Sequence, residues 1–158
     1  WLQERLGALP ERVARLADRE RRIAEDIRNL VAGGGAGDAA DGGATDDTQD
    51  AGALAMRQDG ARREAEALAA RSRMEALAAG ASPRAARVRE RAATRLRALD
   101  LGDVTRRLHG TPAADPAERS GILLGAAARA EQATKELESI AAVISRTQRS
   151  RLTDRTAA

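Results

Sequence analysis

The chain has 158 residues and a formal net charge of +3, and it contains neither Phe, Tyr nor Cys, while alanine fills 38 positions. Missing cysteines exclude disulfides and thiolate metal sites. Missing aromatics exclude the large ring-lined pockets on which most small-molecule sites are built. Leu, Ile, Val and Met total only 28, beside a single Trp. Alanine has the best helix propensity and lets helices approach closely. The expected fold class is therefore all-α: an irregular antiparallel helical bundle, or coiled-coil-like helices, with about four main helices and one disordered Gly/Asp-rich loop.

The first helix is expected from about Pro10 to Val31. Pro suits a first helical position, where its missing N–H costs nothing. Val13, Leu16, Glu20, Ile23, Ile27 and Leu30 follow at alternating spacings of three and four. That is a heptad with Val13, Glu20 and Ile27 at a and Leu16, Ile23 and Leu30 at d. Leu2, Leu6 and Leu9 extend the phase backward, but Gly7 and Pro10 predict a break or kink there. Glu20 is the charge in this stripe. It is expected either at a wet rim of the bundle or paired with an Arg of a neighbouring helix, where it would set register more than stability.

Residues 33–52 read GGGAGDAADGGATDDTQDAG, with Asp38, Asp41, Asp46, Asp47 and Asp50 and no basic residue. This stretch cannot offset its ordering entropy by burial, so a flexible acidic loop is expected. Its acids do not follow the calcium-loop spacing, and no Gly-Lys-Ser/Thr follows its glycines. Without its five charges the rest of the chain carries about +8.

A second helix is expected over about 52–80, with a stripe of Leu54, Ala61, Ala65, Leu68 and Ser72 ending in Met74 and Leu77. Gly60 weakens its first third. The third opens at Ser82-Pro83, as N-cap and first residue. Its stripe is Ala85, Val88, Ala92, Leu96 and Leu99. Asp100 to Asp103 interrupt it, and a short piece with Leu101, Val104 and Leu108 follows. His109 to Pro112 read as a loop. The last helix has Asp115 as cap, Pro116 first and Glu118 three beyond the cap. Ile122, Ala126, Ala130, Ala133, Leu137, Ile140 and Ile144 form its stripe, to about Gln148 or beyond.

No nucleophile signature or metal-ligand spacing appears, and His109, the sole histidine, has no positioned partner. No catalytic residue, cofactor or metal is expected. The leading expectation is a non-catalytic module for protein–protein interaction or oligomerisation. Its partner interface would be Val13, Leu16, Glu20, Ile23, Ile27, Leu30, Ile122, Leu137, Ile140 and Ile144. The alternative is a basic helical domain that binds nucleic acid. Arg84, Arg87, Arg91 and Arg95 share one face of the third helix at spacings suited to a row of phosphates. With Trp1 as the lone Phe, Tyr or Trp, stacking on single strands is not expected.

The tail of 149–158 continues this basic character. The segment SRTQRSRLTDRTAA (145–158), with Arg146, Arg149, Arg151 and Arg155 among small polar spacers, is similar to the C-terminal export signals of type IV secretion substrates, including conjugative relaxases. That resemblance implies recruitment by DNA-processing or secretion machinery. The chain opens at Trp1 inside a helical pattern, as a single helical module cut from a longer protein would. No signal peptide and no apolar run of ~18 residues appears, which points to a cytoplasmic protein without a membrane span.

Overall fold

A computed structural model describes residues 2–34, 43–78 and 82–156, and among them there is helix but no strand. The order is α1 (Leu2–Gly34), α2 (Gly43–Leu77), α3 (Pro83–Ala98), α4 (Leu101–Gly110), a 3-10 turn (Thr111–Ala113) and α5 (Pro116–Thr156). Four main helices and one short one form the expected all-α bundle.

The cap read from the sequence at α3 is in place, and α4 has a cap that the sequence reading took for an interruption. Ser82 is extended and its Oγ accepts the Ala85 N–H at 3.3 Å, with Pro83 beginning the helix. Asp100 caps α4, accepting the Asp103 N–H at 3.2 Å. The Asp100–Asp103 interruption is thus a helix start. At α5 the Asp115 carbonyl accepts the N–H groups of Glu118 and Arg119.

Several boundaries differ from expectation. α1 does not break at Gly7 or Pro10 but runs through both. Pro10 costs one backbone hydrogen bond, and buried Leu9 and Val13 on either side hold the turn together by packing. His109 and Gly110 belong to the last turn of α4, and Thr111 to Ala113 form the 3-10 turn. α2 begins at Gly43, ahead of the expected start near 52. Of the loop expected over 33–52, residues 35–42 lie outside the described residues. α5 runs beyond Gln148, as the sequence allowed, to Thr156 and into the basic tail.

The chain divides into two compact units. Unit 1 comprises residues 1–17, 63–99 and 135–158; unit 2 comprises 18–62 and 100–134. In unit 1, Val13 and Leu16 of α1, Leu68 of α2, Leu96 of α3 and Leu137, Ile140 and Ile144 of α5 are buried. In unit 2 the buried set includes Ile23 and Ile27 of α1, Leu54 of α2, Leu101, Val104 and Leu108 of α4, and Leu123 of α5. Half of the buried apolar side chains among the described residues, fifteen of thirty, are alanine. The cores are therefore thin, and the helices must lie close to exclude water.

Within unit 2, α1 and α2 are antiparallel, since Asp26 meets Arg57 while Arg19 lies against Gly60. A Cβ at Gly60 would stand 2.7 Å from Arg19 Nη2, so this glycine makes room for a guanidinium that donates to the Arg57 carbonyl. α4 and α5 are antiparallel as well, with Asp103 facing Arg129 and Arg107 facing Gly125.

Candidate functional site

The residues expected to meet a partner are mostly spent inside the chain. Val13, Leu16, Glu20, Ile23, Ile27, Leu137, Ile140 and Ile144 are buried, and Leu30 and Ile122 are half-buried. In this fold the heptad seam of α1 is buried in the folded chain, and Glu20 of that seam meets Gln58 of α2.

Glu20 is at neither a wet rim nor an Arg pair. It is fully buried, and both its carboxyl oxygens accept from Gln58 Nε2, at 3.0 and 3.2 Å. Burial pushes its pKa up to about 7, against the lowering effects of the Gln58 hydrogen bond and the Arg19 charge.

The C-terminal pair of α2 was misplaced by sequence reasoning. Met74 is 67% exposed and Leu77 74%. Ala61, Ala65, Leu68 and Ser72 are buried, and the next position of that stripe is Glu75. Met74 is only two residues beyond Ser72, which turns it about 200° away from the buried face.

Glu75 joins a polar cluster in the core of unit 1 that sequence reasoning missed. Arg89 of α3 is buried, and its Nε donates to Glu75 Oε2 at 3.1 Å. Arg71 Nε binds the other Glu75 oxygen at 3.0 Å, and Ser72 Oγ donates to the Arg89 carbonyl at 2.7 Å. The available signal was position: Arg89 lies four residues after Ala85 and three before Ala92, inside the α3 stripe.

The expected arginine face of α3 survives in part. Arg95 leaves it: its Nε donates to Glu136 Oε1 at 2.6 Å and its Nη2 to Ser139 Oγ at 2.9 Å. That bond raises the Arg95 pKa further and holds the Glu136 carboxyl below its ordinary value. Arg84, Arg87 and Arg91 are exposed and have no ion pair or hydrogen bond among the described residues. They span about 10 Å of one helix face.

Charge is distributed unevenly between the units. Unit 1 holds 17 basic and 9 acidic side chains, whereas unit 2 holds 10 and 15. Five of unit 2's acids are the Asp residues of 38–50. Many other arginines are matched by carboxylates: Arg28 with Glu131, Arg57 with Asp26, Arg62 with Asp59, and Arg107 with Asp103.

Among the described residues no group of three or more His, Asp or Glu side chains could hold a metal ion. His109 is exposed near the end of α4. Among those residues, too, no helix is long and apolar enough to cross a membrane. No protein-family model, curated protein or solved structure matches this chain.

Proposed function

We propose that this chain is a binding module whose working surface is the arginine face of α3, and that its partner is a nucleic-acid duplex. The observation that carries this reading is the row of Arg84, Arg87 and Arg91, exposed and without an anionic partner among the described residues. They belong to the unit with the basic surplus. Arg forks bind phosphate oxygens bidentately, and three on one face position a backbone without reading bases. Such binding is sequence-tolerant, as required of a helix that presents few other hydrogen-bonding side chains. Recruitment to DNA-processing or secretion machinery, implied by the basic tail, would use the same charge.

The test is fluorescence anisotropy with a labelled DNA duplex at physiological salt. The parent should bind, and the Arg84→Gln/Arg87→Gln/Arg91→Gln chain should bind much less while keeping its helicity, because Gln is a good helix former. Failure of the parent to bind would overturn the reading.

A protein–protein or self-association module is the second reading. The observation favouring it is the exposure of Met74 and Leu77, one turn apart at the end of α2. Light scattering over a concentration series tests it: a mass that stays monomeric, and that Met74→Gln/Leu77→Gln does not change, would remove self-association.

A further inference from the structure

Glu20 and Gln58 make an unbalanced pair. Neither side chain is exposed, and two carboxyl oxygens share one amide nitrogen while the other amide atom, Gln58 Oε1, has no hydrogen-bond partner. One neutral amide does not offset the burial of a full negative charge. Nor does a cation close on it. Arg19 acts on Glu20 through space, but its guanidinium donates to the Arg57 carbonyl and lies against Gly60. Several other charged groups of unit 2 are engaged with one another: on α2, Arg57 with Asp26 of α1 and Arg62 with Asp59. On α4 and α5, Asp103 is bound to Arg107 and faces Arg106 and Arg129, and Glu131 pairs with Arg28 of α1.

A single proton satisfies both demands. We propose that Glu20 is held as the neutral acid and closes a two-bond ring with the Gln58 amide, so that loss of this proton unlatches α1 from α2 in unit 2. The Glu20 O–H donates to Gln58 Oε1, and the Gln58 N–H donates to the Glu20 carbonyl oxygen. A turn of the amide plane exchanges the 3.2 Å contact for the acid's own bond. The charged form loses that bond and leaves Oε1 facing a carboxylate, which repels it.

Burial raises the Glu20 pKa from 4.5 to about 7, so the folded state holds its proton more tightly than the unfolded chain does. The stabilisation is fully present below about 4.5, falls as pH rises from there to about 7, and changes no further above it. The latch is therefore weakest in neutral and basic solution and closes on mild acidification.

Two measurements test this on the intact chain. In ¹³C-Glu-labelled protein, the Glu20 carboxyl resonance should titrate with a midpoint near 7, and a midpoint near 4.5 overturns the proposal. In thermal melts, the wild-type Tm should fall between pH 5 and 7 relative to Glu20→Gln, which keeps a neutral amide pair at every pH. Parallel profiles of the two chains would overturn it equally. The resonance is read in the wild-type protein, so the test stands even if the variant folds poorly.

Discussion

Arg89 is 2% exposed, and its Nε stands 3.1 Å from Glu75 Oε2, so an ion pair lies inside the core of unit 1. α2 and α3 are joined there by charge as well as by alanine packing, since Ser72, also on α2, donates to the Arg89 carbonyl. Attraction within such a pair roughly offsets its desolvation, but the loss of one partner leaves a buried charge alone. Glu75→Ala should therefore destabilise the chain by about 3–5 kcal/mol. The double variant Glu75→Leu/Arg89→Met should lie within about 1–2 kcal/mol of the parent, because it replaces both charges with apolar volume. Urea melts of both chains check this. A double variant no better than the single would mean that Arg89 is held by other groups.

Pro10 offers a test of where α1 begins. In a helix interior a proline costs about 3 kcal/mol relative to alanine, whereas at a first position it is well tolerated. Since α1 runs from Leu2, Pro10→Ala should raise stability by about 1–3 kcal/mol, less whatever packing the buried ring supplies. Circular dichroism should also show the segment ahead of it holding its helicity to higher temperature. A neutral or unfavourable substitution would place the true helix start at Pro10.

These two cases show what the sequence made legible. The all-helical class, the cap at Ser82 and the buried stripes of α1 and α5 follow from local rules: propensity, cap chemistry and a repeat of three and four. Arg89 and Glu20 were harder, because a charged residue on an apolar stripe has two outcomes and only the neighbouring helix decides between them. Glu20 met Gln58 instead of an arginine, and no spacing within α1 encodes that. Met74 and Leu77 failed for a simpler reason. They were grouped by hydrophobicity although their angle on the helix departs from the stripe of Leu68 and Ser72. The α3 arginine face was visible, but its loss of Arg95 required knowing that Glu136 of α5 would lie alongside.

On the acid side two carboxylates set the stability profile. The Arg107 hydrogen bond holds Asp103 below its ordinary pKa, assisted by the charges of Arg107, Arg106 and Arg129. Glu136 is lowered by Arg95 in the same way. Their folded values lie below the unfolded ones, so their stabilisation is present above about 3.8 and 4.5 and is lost as pH falls further. Both sites are solvated, so each is worth below about 1 kcal/mol. Together with Glu20, whose contribution declines above about 4.5, they should place maximal Tm near pH 5, far from the isoelectric point of 10.7. Asp103→Asn and Glu136→Gln should each shallow the loss of Tm between pH 4.5 and 2 without changing the limb above 5. A Tm that keeps rising from pH 5 to 8 would contradict this balance.

Duplex binding by α3 should carry a salt signature specific to Arg84, Arg87 and Arg91. Each phosphate contact releases condensed counterions, so the slope of log affinity against log salt is about −0.9 per contact on duplex DNA. Replacing Arg84, Arg87 and Arg91 by Gln should therefore shallow the slope by about 2.7 if each holds one phosphate. The control is Arg22→Gln, an exposed arginine of unit 2 that also lacks an ion pair among the described residues. If binding belongs to the α3 face, this control should leave both slope and affinity almost unchanged. If binding only follows net charge, losing one positive charge at Arg22 should cost about a third of what the triple variant loses. Anisotropy titrations between about 50 and 200 mM salt separate these outcomes, since a protein making several phosphate contacts changes affinity by orders of magnitude over that range. Proportional losses in the two variants would dissolve the α3 site into general electrostatics. A loss confined to the triple variant, with its slope shallowed by two to three contacts, would locate the binding surface on this helix.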